Sequence, residues 1–372
     1  SFIQFFFLIL QQTKVSSCMS DRIRIKDIAL RAGVSVGTVD RVIHNRANVS
    51  KKAVEKVREA LEEMDYQPNM YASALAYNKK YLFILLIPKH DKEAYWDEVE
   101  LGVKECERIR RDFQIKADIV YYDRSDNESL VKTGEECLKK HPDGFVLVPS
   151  SLEATRKFTD HLHAESIPFV MLDSYMPDLK PLAFFGQDSF QSGYFAARMF
   201  MLLAAKEKEI MLMKHLNNGQ STSKQQANRE VGFRHYMKDH FPEVNILEIH
   251  LDSQDTPEQY DKQLEEFFNA HPNIHHCITL GAHASLVGKF LQKTNRREVQ
   301  IMGYDFTTQN NKCMREGSIS FLVCQHAFMQ GYQCLETLFR AIVLKKEVTP
   351  VNYMPIELLT PENIDFYRRK SF

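Results

Sequence analysis

Short apolar runs alternate with helical patterns along the chain after residue 80. Strands that are apolar along their whole length are typical of parallel sheets with helices on both faces. Segment 80–372 is too long for one such sheet, so we predict two doubly wound lobes with a ligand cleft at their strand ends. The predicted strands are Leu82–Ile87, Asp118–Tyr122, Gly144–Val148, Pro168–Leu172, Glu209–Met213, Ile246–His250, Cys277–Leu280, Val299–Gly303 and Ile319–Val323.

The front of the chain has a different pattern, with apolar residues at helical spacing. A first helix over Lys26–Ala32 is followed by Gly33, which suits a tight turn, and by Ser35, a typical N-cap. Ser50 is placed to cap a third helix. Two short helices joined by a turn, with a third helix beneath, predict a helix-turn-helix. Its apolar positions are Ile28, Ala29, Val39, Val42, Ile43, Val54, Val57, Leu61 and Met64.

The charge distribution supports that prediction. Ten basic and three acidic residues lie between Arg22 and Arg58, a net charge of +7, whereas the whole chain carries −1. Such an excess is typical of a phosphate-binding surface. The composition, 44% hydrophobic and 26% charged, excludes a disordered chain, a collagen and a small disulfide scaffold. No apolar run reaches the roughly 18–20 residues of a membrane span.

The seven cysteines are scattered singly and none forms a C-x-x-C pair. We therefore expect reduced thiols in a cytoplasmic protein, without a disulfide framework or a zinc site. The apolar run Phe2–Leu10 precedes the first methionine, Met19. It could be a signal peptide, but no basic residue precedes it and no clear cleavage site follows. We expect residues 1–18 to be a non-native extension.

Three motifs carry a family resemblance: IKDIALRAGVSVGTVDRVIHN, then VSKKAVEKV, then MDYQPNMYASALA. Over residues 23–76 the chain resembles the LacI family of bacterial transcription regulators. The resemblance implies a headpiece over 19–66, a hinge helix and linker over 67–79, and an effector domain over 80–372. The implied fold is an all-α helix-turn-helix headpiece plus a two-lobed α/β domain of the periplasmic-binding-protein-like type I.

The resemblance also implies roles in DNA binding. Val36 and Gly37 hold the positions that select bases, and Arg41 holds that of an arginine that contacts a base edge. Ser35 and Thr38 would contact phosphates. An arginine suits its position because its guanidinium group can donate to both acceptors of guanine.

The hinge helix is implied to lie in the minor groove at the centre of a palindromic operator. Asn69 would cap it, Ala72 would allow close approach, and Leu75 would be the apolar wedge between base pairs. The alternative is a plain interdomain linker. A helix this short does not persist alone in water, so we expect it to order on DNA as a pair from two subunits.

The effector domain resembles ribose-type sugar-binding proteins over about 80–360. Tyr95 and Trp96 match paired aromatic residues that sandwich a sugar ring, just before a helix. Asp173 and Asp305, at the ends of predicted strands, match acids that accept sugar hydroxyls. The alternatives are a core role for Trp96 and helix capping for both acids.

Four more cleft residues follow from the same resemblance. Arg229 matches an arginine three residues before a helix glycine, although it could be a surface charge, and Gln325 matches a glutamine in a segment that crosses between lobes. Ser151 stands where ribose-type proteins have an aspartate. His283 lies in a pair that is often Asn-Asp in the family, and it could contact a hydroxyl. These two departures argue against assuming ribose or galactose.

No enzyme motif is present: no GxGxxG follows a strand, and there is no P-loop. The histidines, including His161 and His163, have no acidic partner at metal spacing, so we expect surface histidines, no metal and no cofactor. The alternatives are an exported sugar-binding receptor and an enzyme on the same fold. We expect a homodimeric regulator, in the usual family case a repressor. It would bind a pseudo-palindromic operator and a carbohydrate effector, with no membrane partner.

Overall fold

The computed structural model describes residues 24–43, 48–64, 79–90, 95–126, 128–217, 219–221 and 223–367. The chain divides into two units, 1–76 and 77–372, which are described separately. Residues 1–18 and the predicted hinge residues Asn69, Ala72 and Leu75 lie outside the described residues. No helix among the described residues is both long enough and apolar enough to cross a membrane.

The first unit contains the three helices that the sequence predicts: α1 (Ile25–Ala32), α2 (Val36–Ile43) and α3 (Lys51–Glu63). Gly33 ends α1 at φ 63°, and its N–H donates to Ala29 and Leu30. Ser35 caps α2, where its Oγ accepts from the Thr38 N–H at 3.1 Å. Each helix contributes one fully buried residue to a shared core, so the helices pack around Ile28, Val39 and Val57.

The second unit consists of two parallel-sheet lobes. The lobe 1 sheet has the order β12-β5-β4-β3-β1-β2. Its strands are β1 (Tyr81–Pro88), β2 (Ile115–Tyr122), β3 (Gly144–Leu147), β4 (Phe169–Leu172), β5 (Ala183–Gly186) and β12 (Val351–Tyr353). Its helices are α4 (Tyr95–Ile109), α5 (Ser129–Leu138), α6 (Leu152–Ala164) and α12 (Ala327–Leu338). Strands β3 and β4 are buried at every position because helices cover both faces.

The lobe 2 sheet has the order β13-β11-β10-β9-β6, with β8 parallel and β7 antiparallel to β6. Its strands are β6 (Glu209–Asn217), β7 (Gln220–Ser221), β8 (Asn245–Asp252), β9 (His276–Thr279), β10 (Gln300–Tyr304), β11 (Phe321–Cys324) and β13 (Glu357–Leu359). Its helices are α7 (Ser189–Leu203), α8 (Lys224–His240), α9 (Pro257–Ala270), α10 (Ala284–Thr294) and α11 (Thr308–Arg315). The prediction of two doubly wound lobes is confirmed.

The chain crosses between the lobes near residues 187, 325 and 355, and a buried glutamine joins the three segments. Gln187, in the first segment, donates from Nε2 to the carbonyl of Cys324 at 3.2 Å and to that of Pro355 at 2.9 Å. Since Gln187 is only 5% exposed, these hydrogen bonds are shielded from competing water. The cleft between the lobes lies next to these three crossing segments.

Candidate functional site

Two aspartates occupy matched positions at the carboxyl ends of the two sheets. Asp173 follows β4 and Asp305 follows β10, and both have left-handed backbones, at φ 71° and 68°. The Asp173 N–H donates to the carbonyl of Phe185 at 2.8 Å, and the Asp305 N–H donates to the carbonyl of Val323 at 2.9 Å. Left-handed non-glycine residues are uncommon and cluster at functional sites. The backbone thus turns both carboxyl groups toward the cleft in the same way.

These two carboxyl groups share one buried environment with basic side chains. Burial raises the pKa of Asp173 to about 6; Arg124 and Arg229 oppose this shift, and Asp305 adds to it. Burial also raises the pKa of Asp305, against the effects of Arg229 and of a 2.7 Å hydrogen bond from Gln325 Nε2. The cleft therefore combines hydrogen-bond acceptors with fixed positive charge.

Arg229 has a buried side chain that contacts two groups, but one of its hydrogen-bond donors has no acceptor within the described part of the chain. Its side chain is 4% exposed, Nη1 donates to the carbonyl of Leu280 at 3.0 Å, and the guanidinium carbon lies 4.3 Å from the ring centre of Tyr304. Among the described residues, its Nε and the hydroxyl of Tyr95 are buried without a hydrogen-bond partner. A buried donor without a partner is costly, and a polar ligand would satisfy it.

A small cavity lies between the lobes beside these groups. Its lining comes from both lobes and from the C-terminal segment: Tyr95, Glu98, Asp305, Phe306, Gln325, Ala327, Phe328 and Tyr367. The lobes also touch directly, since Gln225 of α8 donates from Nε2 to the Asp173 carbonyl at 2.9 Å. The structure therefore brings Tyr95, Asp305 and Gln325 together at the cavity. Arg229 lies close enough to oppose the rise that burial causes in the pKa of Asp305, and Asp173 lies close enough to add to the rise that burial causes in the pKa of Tyr95.

Tyr95 and Trp96, the pair predicted to sandwich a sugar ring, are consecutive residues of helix α4. Their rings touch edge to face, with centres 4.9 Å apart and planes at 82°. The guanidinium carbon of Arg124 lies 5.7 Å from the Trp96 ring centre. Tyr95 thus faces the cavity, whereas Trp96 packs against a basic group.

Two other residues predicted to lie in the cleft, Ser151 and His283, contact neighbouring groups of the protein. Ser151 caps α6, where its Oγ accepts from the Ala154 N–H at 3.2 Å. His283 stacks on His215, with ring centres 3.8 Å apart. Burial, and secondarily His215, lower the pKa of His283 to about 3, and burial also lowers the pKa of His215, so the stacked pair is neutral at neutral pH. His215 was not predicted, because no spacing rule links β6 to the segment after β9.

Sequence reasoning also missed two groups beside the predicted site. Arg124 comes two residues after β2, so the strand-end rule that found Asp173 could have found it. Gln225 lies in the first turn of α8, four residues before Arg229. No local signal distinguishes it, because its role depends on contact with the opposite lobe.

The expectation that histidines lack acidic partners at metal spacing is wrong for His90. Its Nε2 lies 3.1 Å from Asp97 Oδ1 and 3.3 Å from Glu100 Oε1. These residues are seven and ten positions apart in sequence, and the β1–α4 connection brings them together. His161 and His163, in contrast, lie toward the surface, where His161 has Glu135 3.4 Å away.

The helix-turn-helix unit presents five of the residues predicted to contact DNA. Ser35, Val36, Gly37 and Arg41 are exposed and Thr38 is half-buried. The hydroxyl groups of Ser35 and Thr38 lie 2.9 Å apart. These residues therefore form an accessible surface at the start of α2.

Comparisons with known proteins agree with this architecture. The family described as "Bacterial regulatory proteins, lacI family" matches residues 24–69, and the "Periplasmic binding protein domain" matches residues 84–347. A crystal structure of a protein from Bacteroides fragilis, described as a LacI transcriptional regulator, is 42% identical in sequence. The match covers 78% of this chain and 100% of that one, with a TM-score of 0.74.

Curated relatives show the same relationship at lower identity. The ribose operon repressor of Lactococcus lactis is 23% identical over 90% of this chain and 97% of its own length. The transcriptional regulator DegA of Bacillus subtilis is 27% identical over 58% of this chain. The chain spans 60% of the length of DegA.

Proposed function

Because the chain belongs to the lacI family of bacterial regulatory proteins, we propose that it is a transcriptional regulator whose affinity for operator DNA depends on a small ligand in the cleft. The ligand would be a carbohydrate or a similar polar metabolite. The protein would act in the cytoplasm as a homodimer, and in the usual family case as a repressor that the ligand releases.

The DNA-binding part of the proposal rests on the unit 24–64. Arg41 would contact a base edge in the major groove, and the exposed start of α2 would lie against the phosphates. Two such units in a dimer would contact the two halves of a pseudo-palindromic operator. Leu75 would supply the minor-groove wedge between them.

The ligand-binding part rests on a single observation: the buried Nε of Arg229 and the Tyr95 hydroxyl have no partner beside two buried carboxyl groups. Carboxylates accept from hydroxyl groups and a guanidinium donates to them, so this arrangement suits a molecule with several hydroxyl groups. The aromatic lining of the cavity would pack against its C–H surface.

The same contacts offer a route for coupling the ligand to DNA. Gln225 of lobe 2 donates a hydrogen bond to lobe 1, and Gln187 joins the three crossing segments, so these buried hydrogen bonds would contribute to the angle between the lobes. A ligand that binds one lobe angle more tightly would shift the protein toward it. The dimer would transmit that shift to the DNA-binding units.

A thermal-shift panel of pentoses, hexoses, sugar acids and sugar phosphates tests the ligand class. DNA binding is tested by selecting duplexes from a random pool at two salt concentrations. We expect one carbohydrate to raise the melting temperature and to change the affinity for the selected duplex. If no duplex is preferred over random competitor, with or without the panel compounds, the proposal is wrong. The alternative of an exported receptor leaves the helix-turn-helix unit without a role.

A further inference from the structure

The contact between His90 and two carboxylates lies outside the ligand cavity and has the features of a metal site. His90 follows β1, and Asp97 and Glu100 lie one turn apart on α4. The side chains of His90 and Glu100 are 9% and 19% exposed. Within the described ranges, no other three His, Cys, Asp or Glu side chains bring their ligand atoms this close together.

The hydrogen bond of His90 Nδ1 determines whether Nε2 has a free lone pair in the neutral ring. Nδ1 lies 3.1 Å from the carbonyl oxygen of Pro88, which can only accept, so Nδ1 carries the hydrogen. In the neutral ring, Nε2 then has a lone pair directed at two carboxylate oxygens. Three electron-rich atoms at this distance repel one another unless a proton on Nε2 or a metal ion lies between them. A backbone carbonyl bonded to the other nitrogen is the usual partner of a metal-binding histidine.

The distances fit one small ion. A tetrahedral ion with ligands at roughly 2.0–2.1 Å places its ligand atoms about 3.3 Å apart. The distances from Nε2 to the two carboxylate oxygens are 3.1 and 3.3 Å, and all three atoms lie within 4.8 Å of one another. The Tyr121 hydroxyl donates to Glu100 Oε1 at 2.8 Å, which orients that carboxylate.

We propose that His90, Asp97 and Glu100 bind a divalent transition-metal ion such as Zn²⁺, which accepts both imidazole nitrogen and carboxylate oxygen as ligands. Three protein ligands leave a position for water. The ion would tie the end of β1 to the first turn of α4, which carries Tyr95 and Trp96. The site is separate from the proposed effector site and does not depend on the carbohydrate.

Calorimetric titration of Zn²⁺ into the chelator-treated full chain tests the site. We expect one binding event that is weakened more than about 100-fold in His90→Gln and in Glu100→Gln, and about 10-fold in Tyr121→Phe. Trp96 is the only tryptophan, so Co²⁺ bound beside it should quench the intrinsic fluorescence with the same dependence on these variants. Circular dichroism melting identifies any variant that does not fold.

His250→Gln is the matched control. His250 also lies 3.0 Å from a carboxylate, that of Glu248, but Lys214 and Arg234 already pair with the same group. This variant should keep the wild-type affinity for Zn²⁺. Equal affinity in wild type, His90→Gln and Glu100→Gln would overturn the proposal. So would an imidazolium signal of His90 in ¹⁵N NMR at neutral pH that Zn²⁺ does not change, because a proton would then hold the group together.

Discussion

The carbonyl oxygen of Arg229 lies against Gly193, so close that a Cβ on this glycine would come within 1.9 Å of it. The contact is reciprocal, since a Cβ on Gly232 would lie 2.0 Å from the carbonyl of Phe190. Helices α7 and α8 thus pack backbone against backbone. This packing fixes the turn of α8 from which Arg229 projects.

Lobe 1 repeats the same arrangement with different residues. A Cβ on Gly102 would lie 1.9 Å from the Phe328 carbonyl, and one on Gly331 would lie 2.0 Å from that of Val99. The pair α4–α12 therefore corresponds to the pair α8–α7. In each lobe, a helix that follows a crossing segment presses on the helix that begins beside the cleft.

The first prediction concerns this contact. Gly193→Ala should lower the free energy of unfolding by about 1–3 kcal/mol, because backbone atoms cannot yield to the added methyl group as a flexible side chain can. Urea denaturation measures the change. Arg198→Ala, at an exposed position on the same helix, should change stability by less than about 0.5 kcal/mol. Equal stability of both variants would show that the helices separate easily.

The second prediction concerns the proposed ligand contact of Arg229. Arg229→Met keeps much of the side-chain volume but removes the donors, so the carbohydrate identified by the panel should bind about 10–100-fold more weakly. Operator affinity without ligand should stay unchanged. Titration calorimetry and gel-shift assays measure the two affinities. Arg234→Met, on the outer part of the same helix, is the control, and an equal loss there would remove Arg229 from the site.

The third prediction follows from the pKa of Asp173, which burial raises to about 6. The native protein then holds a proton that the unfolded chain has lost, so Asp173 makes stability fall as pH rises from about 4 to 6. Above pH 6 the free-energy cost of the ionised, buried Asp173 is fully present and lowers stability by an amount on the order of 2–3 kcal/mol. Asp173→Asn should therefore stabilise the ligand-free protein more at pH 8 than at pH 5. Melting temperatures at both values check this, and equal gains would contradict it.

The fourth prediction concerns base readout by Arg41. Arg41→Ala should weaken binding to the selected operator by about 1–3 kcal/mol and relax the preference at one base pair. Lys52→Ala, on the exposed side of α3, removes charge without removing a base contact. This variant should bind all duplexes more weakly by a similar factor, and its affinity should depend less steeply on salt concentration. Binding to a panel of single-base operator variants distinguishes the two effects.

Local signals were sufficient for much of the fold. All nine predicted strands are present, because each is an apolar run bounded by helical patterns. The strands β5, β7, β12 and β13 were missed. They are two to four residues long, and β12 and β13 gain their hydrogen bonds only when the chain returns from α12 to the two sheets. Such short segments have no period of their own.

The sequence by itself determined the basic three-helix front and the polar residues at strand ends, such as Asp173 and Asp305, on which the proposals of DNA and ligand binding rest. Only the tertiary structure decided which groups meet. His215 on His283, Gln225 on Asp173, and His90 between Asp97 and Glu100 are pairings across elements. Their geometry depends on how helices and sheets pack, and one-dimensional spacing does not encode it. For the same reason, the sequence did not show that Trp96 lies beside Arg124.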